Sequence, residues 1–258
     1  MRLLQQLERM NSRVLVTGGA KGIGAGIVRA LAAAGHDVIF TYRSSAEQAS
    51  ALANDVSAQG AGNVVAVPLD LSDKAAVTAF CENSTALGEV TGLVHNAGQS
   101  YDALSMMIVQ DKAEAAMQIN FWSFTQIINT FMRPMMARRS GRVIAIGSVT
   151  ATRANQGNAA YAASKAALEA YMRTLSLETA RRGITVNTIA PGFVDTDMMQ
   201  SYAAYREKME KQIPAGRFAR PDDIGALAAF LMSPQASYIT GATIPVDGGL
   251  MASMGLQR

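Results

Sequence analysis

A tyrosine and a lysine lie four residues apart in the stretch Tyr161-Ala-Ala-Ser-Lys165, at the head of an alanine-rich segment. If this segment is helical, both side chains project from one face, about one turn apart. A phenol titrates near pH ~10 and donates poorly at neutral pH, but a nearby ammonium is expected to lower the pKa of the Tyr161 hydroxyl. The pair therefore predicts a proton donor. The alternative is an ordinary surface pair, and the rest of the chain must decide between them.

A glycine-rich stretch, Gly18-Gly-Ala-Lys-Gly-Ile-Gly24, follows an apolar run over residues 13–17 that predicts a strand. A helix is predicted over 25–34 and a second strand over 37–42, which together make a βαβ unit. Glycines let the backbone approach a pyrophosphate closely, and the N–H groups at the helix start bind its charge. We therefore interpret this unit as a dinucleotide site rather than a plain tight turn.

The residues after the second strand indicate which dinucleotide binds. A site for NAD usually has an acidic residue there, which accepts from the ribose 2′-hydroxyl. Here the strand end carries Arg43, and no acid follows until Glu47. Arg43 and Lys21 offer two cations to a 2′-phosphate, so NADP(H) is the predicted cofactor. The alternative is that both are solvated surface cations.

The strand and helix patterns continue to alternate to the end of the chain. Strands are predicted over 64–68, 92–95, 142–146, 185–190 and 242–246, and helices over 46–59, 111–136, 161–182 and 221–232. Nearly continuous apolar strands separated by helices indicate a parallel sheet that is covered on both faces. The predicted fold is α/β, a single Rossmann-type doubly wound domain with a seven-stranded parallel sheet, over residues 12–258. Residues 1–11 are expected to be an N-terminal extension, and about 193–218 a substrate lid.

Polar and small residues at the strand ends are further candidates for the site. Asp70 could accept from an adenine amine, or it could cap the next helix. Asn96-Ala-Gly98 would let the backbone lie beside a cofactor. Asn120 lies within a long predicted helix, and Ser148 follows the fifth strand. Taken alone, Asn120 could be merely exposed and Ser148 a strand-end cap.

Composition excludes several classes of function. The net charge of +3 comes with few basic clusters, which does not favour nucleic-acid binding. No apolar run reaches the ~18 residues that a membrane span needs. The single cysteine, Cys81, allows no intrachain disulfide, which fits a reducing cytoplasm. Two distant histidines make a metal site improbable, so no metal is expected.

These motifs, in this order, resemble the short-chain dehydrogenase/reductase superfamily from residue 13 onward. Within it, the chain is similar to the 3-oxoacyl-[acyl-carrier-protein] reductases. The closer similarity is carried by Gly141-Arg-Val-Ile-Ala-Ile-Gly-Ser148, Gly183-Ile-Thr-Val-Asn187, Ile213-Pro-Ala-Gly-Arg217 and Tyr238-Ile-Thr-Gly241. One departure is His95, where the family usually has another asparagine; this change is expected to alter packing near the nicotinamide without abolishing binding.

The resemblance implies a catalytic tetrad of Asn120, Ser148, Tyr161 and Lys165. Ser148 and Tyr161 would donate to the carbonyl oxygen, where charge grows, and Tyr161 would deliver the proton. Lys165 would lower the tyrosine pKa and hold the nicotinamide ribose, while Asn120 would hold a relay water. The implied cofactor-binding residues are Gly18, Ala20, Lys21, Gly22, Ile23, Gly24, Arg43, Asp70, Leu71, Asn96, Ala97, Gly98, Tyr161, Lys165, Pro191, Gly192, Val194 and Thr196.

The resemblance implies NADPH-dependent reduction of a 3-oxoacyl thioester. Two alternatives stay open. One is a reductase or dehydrogenase of a free small ketone, sugar or alcohol, and the other is a non-catalytic nucleotide-binding scaffold. An acidic acyl carrier protein would suit a basic patch formed by Arg138, Arg139, Arg142, Arg181 and Arg182, although a solvated basic face explains it equally well. Apolar and small residues on several faces of the helices at Asn120 and Tyr161 favour a homotetramer or a dimer, and a heteromeric partner stays open.

Overall fold

A computed structural model describes residues 12–59 and 62–253 of the chain. The predicted N-terminal extension, residues 1–11, lies outside the described residues. No helix within the described part is long and apolar enough to cross a membrane.

Seven parallel strands form one sheet in the described part of the chain, in the order β3-β2-β1-β4-β5-β6-β7. This confirms the predicted fold class. The strands are β1 (Arg13–Thr17), β2 (Asp37–Tyr42), β3 (Val64–Pro68), β4 (Val90–His95), β5 (Gly141–Ile146), β6 (Ile184–Pro191) and β7 (Thr243–Val246). The order reverses between β1 and β4, and in open α/β sheets ligands bind at the carboxyl ends of the strands beside such a reversal.

Helices cover both faces of the sheet. Their bounds are α1 (Gly22–Ala33), α2 (Ala46–Ala58), α3 (Lys74–Glu82), α4 (Gln110–Met117), α5 (Ser123–Arg138), α6 (Ala159–Thr179), α7 (Arg206–Glu210) and α8 (Pro221–Met232). The apolar residues of α1, α2 and α8 pack on one face, in a cluster that includes Val14 and Val16 of β1. The helices α3, α5 and α6 pack on the other face, in a cluster that includes Leu15. The alternation along β1 is the period of two that a strand imposes.

The helices α1 and α8 approach each other through two glycines. A Cβ built on Gly26 would lie 2.6 Å from the Pro221 carbonyl oxygen, and one on Gly225 would lie 2.5 Å from the Gly26 carbonyl oxygen. No side chain fits at either contact. Helix α8 therefore packs directly against α1, the helix that begins in the glycine-rich turn.

The long helix predicted over 111–136 is divided in the structure. A π-helical turn, Gln118–Trp122, separates α4 from α5 and contains Asn120. A π turn inserts one extra residue and breaks the regular i→i−4 hydrogen-bond ladder, and such turns are frequent at functional sites. Asn120 therefore lies at a local interruption of the predicted helix, in the form of a π turn.

Candidate active site

A cleft of about 750 Å³ opens over the carboxyl ends of β1, β4, β5 and β6. Almost every residue named as a candidate from the sequence lines it. The lining candidates are Gly18, Ala20, Lys21, Gly22, Ile23, Gly24, Arg43, Asp70, Leu71, Asn96, Ala97, Gly98, Ser148, Tyr161, Lys165, Pro191, Gly192, Val194 and Thr196. Asn120 is the exception, because it is fully buried beneath the cleft floor.

The glycine-rich turn forms the wall of the cleft nearest to α1. Gly18 and Gly22 have φ values of +67° and +53°, a left-handed conformation that favours glycine. A Cβ on Gly24 would lie 2.1 Å from the Gly18 carbonyl oxygen, so the turn can close only without side chains. No side chain caps the start of α1, and its first turn has no acid. The turn and helix start therefore fit an anionic pyrophosphate.

Arg43 and Asp70 line the other end of the cleft, beyond β2 and β3. Asp70 Oδ1 accepts from the Ser72 hydroxyl at 2.7 Å and from the Ser72 N–H at 2.9 Å. These bonds lower the pKa of Asp70, with a smaller contribution from the charge of Arg43. The cap of α3 is Asp73 rather than Asp70, so the capping alternative for Asp70 is excluded. Arg43 and Asp70 are one cation and one anion at the end of the cleft where an adenosine would lie.

Lys21 also lines the cleft, but its ammonium faces another segment. Its Nζ lies 3.7 Å from Asp197 Oδ2, and both side chains are largely exposed. The two cations predicted for a 2′-phosphate are therefore unequal, because Lys21 already has a carboxylate nearby. Arg43 is the cation on which a 2′-phosphate interaction depends most.

Ser148 and Tyr161 meet at the floor of the cleft. Ser148 follows β5, and its hydroxyl accepts from the Thr150 hydroxyl at 2.8 Å and from the Thr150 N–H at 3.2 Å. Tyr161 lies in the first turn of α6 and has Ser148 as its hydrogen-bond partner. Two hydroxyl groups thus face the same point, which is the arrangement needed to bind a carbonyl oxygen.

The pKa of Tyr161 is raised in the structure, not lowered as the sequence argument expected. Burial raises the pKa of Tyr161 to about 12, and the hydrogen bond from Ser148 only partly offsets it. The Lys165 Nζ lies 5.7 Å from the centre of the Tyr161 ring and donates to the Ile146 carbonyl at 2.8 Å. Burial lowers the pKa of Lys165 to about 8. The expectation is wrong because desolvation of the phenol outweighs the effect of a cation that lies under the ring.

Asn120 connects the loop after β4 to helix α6. Its side-chain oxygen accepts from the Gln99 N–H at 2.8 Å, and its amide donates to the Gln99 carbonyl at 3.0 Å and to the Ser164 hydroxyl at 2.8 Å. A Cβ on Gly98 would lie 3.3 Å from Lys165 Nζ and 3.4 Å from Asn120 Oδ1. Gly98 therefore leaves open the space on which both side chains converge. The relay water expected at Asn120 stays a prediction.

His95 occupies a buried position between β1 and the π turn. Its Nδ1 lies 3.1 Å from the Thr17 hydroxyl, and its Nε2 lies 3.2 Å from the Asn120 carbonyl oxygen. The Thr17 hydroxyl oxygen accepts from the N–H groups of Asn96 and Ala97, so its own proton points to His95 Nδ1. The imidazole therefore carries its proton on Nε2 and donates to Asn120. Burial lowers the pKa of His95 to about 3, which keeps the ring neutral.

The segment predicted as a substrate lid, residues 193–218 (the lid segment), follows β6, and residues near its start line the cleft. Phe193 and Phe218 stack at its two ends with ring centroids 5.6 Å apart. Arg206 lies over the Phe218 ring at 4.7 Å and donates to both carboxylate oxygens of Asp195. Tyr202 donates from its hydroxyl to Asp102, on the loop after β4. The lid segment is thus held at its base and also touches the opposite rim.

Two residues near the site, Thr17 and Asp102, make contacts that no prediction from the sequence included. Thr17 is the last residue of the first predicted strand, and no prediction covered its hydroxyl, which joins β1 to the Asn96 turn. Asp102 was not noticed, although its carboxylate accepts from Asn158, Ser100 and Tyr202. A polar residue ending an apolar strand was a usable signal for Thr17. No local signal marked Asp102, because two of its three partners, Asn158 and Tyr202, come from segments far away in the chain.

The five arginines of the basic patch lie at the amino ends of β5 and β6, at the opposite edge of the sheet from the cleft. Arg138 pairs with Glu89 at 2.9 Å and also donates to the Val90 carbonyl. Arg142 lies within β5, as predicted, and burial lowers its pKa. Arg139 and Arg182 are exposed. The patch is therefore smaller than the sequence suggested, and it is remote from the cleft of its own chain.

Known proteins that are similar to this chain belong to one family of reductases and dehydrogenases. The family model described as enoyl-(acyl carrier protein) reductase matches residues 18–251. The chain is 41% identical over 238 residues to the 3-oxoacyl-[acyl-carrier-protein] reductase FabG of Salmonella typhimurium, covering 92% of this chain and 96% of the relative.

Two solved structures show the same fold. One, from Beutenbergia cavernae, is provisionally assigned as an NAD(P)-dependent gluconate 5-dehydrogenase and has NADP bound at low occupancy; it has a TM-score of 0.89 and 34% identity and covers 94% of this chain and 98% of its own. The other is a blue fluorescent protein from a metagenomic library in complex with NADPH, with a TM-score of 0.86 and 36% identity, covering 93% of this chain and 98% of its own.

Proposed function

Because the chain belongs to the short-chain dehydrogenase/reductase family, we propose that it reduces a 3-oxoacyl thioester to the 3-hydroxyacyl thioester. The protein is an NADP-dependent oxidoreductase that interconverts a carbonyl and a hydroxyl group. The observation that carries the proposal is the meeting of Ser148 and Tyr161 above a buried Lys165 in a glycine-lined cleft. The similarity to 3-oxoacyl-[acyl-carrier-protein] reductases over almost the whole chain supports the thioester.

Bound NADPH supplies the hydride of this reaction. The hydroxyl groups of Ser148 and Tyr161 donate to the substrate carbonyl oxygen, where negative charge develops, and so stabilise the transition state. Tyr161 then transfers its proton to that oxygen as a general acid. Lys165 holds a positive charge below the Tyr161 ring. This charge stabilises the phenolate that remains after proton transfer.

The titration of Tyr161 is consistent with reduction. Because burial raises the pKa of Tyr161 to about 12, the phenol carries its proton throughout the physiological range. The protonated form is the one that reduction needs, whereas oxidation of an alcohol needs the phenolate as base. The pKa of Lys165, about 8, leaves it mostly charged at neutral pH.

The residues around the cleft fit NADP(H). The uncapped start of α1 and the turn at Gly18 and Gly24 suit the pyrophosphate. Arg43 suits a 2′-phosphate, and no acidic side chain ends β2 to accept from a free 2′-hydroxyl. Asp70 remains near Arg43 as the candidate partner of the adenine amine.

A second candidate substrate is a free small carbonyl compound or sugar acid. The solved structure that is provisionally assigned as a gluconate 5-dehydrogenase has the same fold at 34% identity, which favours this alternative. The discriminating feature is the occupant of the space under the lid segment. A carrier-linked chain must leave this space through the mouth of the cleft, whereas a free hydroxyacid can be enclosed.

The test is a spectrophotometric screen of NADPH and NADH oxidation. Its substrates are 3-oxoacyl groups on acyl carrier protein, the same groups as free thioesters, and 5-ketogluconate. We expect the highest kcat/KM for a 3-oxoacyl thioester with NADPH. A higher value for 5-ketogluconate would replace the proposal with the second candidate, and no oxidation of either nicotinamide would favour a non-catalytic role.

We further propose that an acidic carrier protein docks on Arg139 and Arg182. These residues are exposed, whereas Arg138 and Arg142 are partly buried. Arg139 also donates to the Arg181 carbonyl at 2.9 Å, which holds its side chain beside the next helix end. If α5 packs against its own copy about a two-fold axis perpendicular to the helix, the two helices run antiparallel. The end of α5 at Arg139 would then approach the Asn120 end of its partner, so a carrier on one subunit would serve the other.

Outward-facing apolar residues support such an assembly. Trp122 is 55% exposed and Leu177 is 81% exposed, and Ala163 and Ala170 of α6 are also exposed in the single chain. We expect a homotetramer or a dimer, which light scattering after size-exclusion chromatography measures directly.

Charge reversal tests the docking surface. We expect Arg139→Glu with Arg182→Glu to raise the KM for a carrier-linked substrate at least about tenfold, since rim charges steer association. The KM for the free thioester should stay unchanged. The matched control is Lys74→Glu with Lys112→Glu, which changes net charge equally at exposed positions elsewhere. Equal KM values for both double variants would exclude the patch as the docking surface.

A further inference from the structure

Glu169 is a buried carboxylate that the mechanism above does not use. It lies on α6 four residues after Lys165 and eight after Tyr161, so the three side chains share one face of the helix. Glu169 is 3% exposed, and its Oε1 has no hydrogen-bond partner among the described residues. A carboxylate is costly to bury, and one without full pairing calls for a compensating charge.

The surroundings of Glu169 lead toward the reacting groups. A Cβ on Gly147 would lie 3.0 Å from Oε1, so the carboxylate rests against the residue that precedes Ser148. The carboxylate also faces the Ser148 N–H. On its outer side, Arg173 Nη1 lies 3.9 Å from Oε2 and is itself more than half exposed. Glu169 therefore has a solvated cation, Arg173, on its outer side, and it is one helical turn from a buried cation, Lys165, with which it interacts through charge.

We propose that Glu169 is a positioning residue that keeps Lys165 in its ammonium form during the reaction. Lys165 is 3% exposed, and its Nζ has the Ile146 carbonyl as a hydrogen-bond acceptor, a neutral group. Glu169 supplies the negative charge that favours a buried ammonium. The carboxylate acts through Lys165 and through the Gly147–Ser148 backbone, and it does not touch the carbonyl oxygen.

The titration directions agree with this geometry. Burial lowers the pKa of Lys165 to about 8, and the charge of Glu169 opposes that fall. Burial raises the pKa of Glu169, while Arg173, the Ser148 N–H and Lys165 lower it. The other titratable groups nearby are Tyr161 of α6, which stays protonated, and His95 of β4, which stays neutral. Asp102 acts on Tyr161 from the loop after β4.

A purely structural role for Glu169 would be an ion pair with Arg173 along α6. Such i,i+4 pairs contribute little to stability when they are exposed. At 3.9 Å from a half-exposed guanidinium, this pair is too loose to explain a buried carboxylate. The two roles differ in one observable, because only the electrostatic role changes the titration of Lys165.

The first experiment titrates Lys165 without any substrate or cofactor. The ¹³Cε shift of labelled lysine is followed by NMR against pH in the full-length chain, with the Lys165 signal assigned from Lys165→Met. In Glu169→Gln, we expect the pKa of Lys165 to fall by about one unit, the lower end of the effect of a nearby opposite charge. Glu178→Gln, an exposed change on the same helix, should leave it in place. An unchanged Lys165 titration in Glu169→Gln would overturn the proposal.

The reciprocal measurement covers the case in which Glu169→Gln does not fold. In Lys165→Met, the carboxyl carbon of Glu169 should titrate at higher pH than in the wild-type chain, because linkage is mutual. An unmoved Glu169 titration would equally reject the coupling.

The kinetic experiment rests on the proposed function. In Glu169→Gln, the basic limb of the kcat profile for thioester reduction should move about one unit lower in pH, with little change in the KM for NADPH. If the wild-type chain reduces no thioester, the proposed function fails, while the NMR titrations still decide the role of Glu169. A loss of kcat at every pH with an unmoved limb would show that Glu169 is only structural.

Discussion

A single phenol illustrates how burial and hydrogen bonding set the chemistry of this cleft. Tyr161 has one hydroxyl neighbour, Ser148, and a cation below its ring, yet desolvation determines the direction of its pKa. The Tyr161 hydroxyl therefore keeps its proton at neutral pH and can donate it to a substrate. The hydrogen bond with Ser148 orients this hydroxyl. Substitution by phenylalanine removes the donor without removing the ring.

Tyr161→Phe is expected to lower kcat at least about a hundredfold, since a positioned general acid contributes ~10²–10⁴ in rate. Binding of NADPH, measured by fluorescence titration, should change less than about twofold, because the ring still fills its place. Retention of most of the activity would show that another group delivers the proton. Tyr171→Phe, on the same helix, is the matched control.

Arg43→Ala is expected to raise the KM for NADPH about tenfold and the KM for NADH much less. The reason is that Arg43 is the cation available to the 2′-phosphate, whereas Lys21 lies beside Asp197. Steady-state kinetics with both cofactors measures the ratio. Equal changes in the two KM values would mean that the 2′-phosphate lies elsewhere.

At the level of elements, the site depends on contacts that allow no side chain. The helices α1 and α8 touch through Gly26 and Gly225, and this contact supports the helix whose start borders the cleft. Glycine in a helix costs about 1 kcal/mol relative to alanine. The close approach of the two backbones is what offsets that cost.

Gly225→Ala should therefore destabilise the protein by about 1–3 kcal/mol, the usual cost of overpacking. Its Cβ would lie 2.5 Å from the Gly26 carbonyl oxygen, so α8 must move. Urea unfolding measures the change. The exchange Ala226→Gly at an exposed position of α8 reports helix propensity alone. If Gly225→Ala is stabilising, propensity outweighs the contact and the packing argument is wrong.

His95 joins three elements, since it contacts Thr17 of β1 and the Asn120 carbonyl of the π turn from its own position in β4. Burial lowers its pKa from the ordinary value of 6.5 to about 3. In the unfolded chain the His95 imidazole binds a proton below about pH 6.5. In the folded chain the same ring stays neutral until the pH falls to about 3. Folding stability should therefore be complete above pH 6.5 and should decrease as the pH falls toward 3.

The expected decrease from pH 7 to pH 5 is about 2 kcal/mol for His95 alone, with a limiting slope of ~1.4 kcal/mol per pH unit. In His95→Asn, which keeps a donor and an acceptor, this component should disappear. Unfolding free energies at pH 5 and pH 7 are compared for both proteins at one concentration. The pKa of His36 is also lowered by burial, but His36 is common to both proteins. An equal pH dependence in the two would contradict the assignment.

For the whole molecule, the alternation of strands and helices was predictable because each strand is a short apolar run ended by small or polar residues. Strands β2 and β3 have the bounds predicted. Helix α1 starts three residues earlier than predicted, because Gly22 and Gly24 belong to both the turn and the helix. The direction of the Tyr161 pKa shift was predicted wrongly. The spacing of two residues gives their separation along a helix but not how deeply each side chain is buried. The contacts of Asp102 and His95 join distant segments, which no local pattern reveals.

The strand order has a consequence for synthesis on the ribosome. One edge of β1 pairs with β2, which follows about two dozen residues later in the chain. The other edge of β1 pairs with β4, where Thr17 is the register partner of His95, so this edge stays unpaired until β4 has been synthesised. At roughly 5–20 residues per second, that edge stays open for on the order of 4–16 s in every nascent chain. During this interval an apolar strand destined for the sheet interior is a template for wrong partners. Chaperone dependence should therefore concentrate on emerging chains that end between β2 and β4.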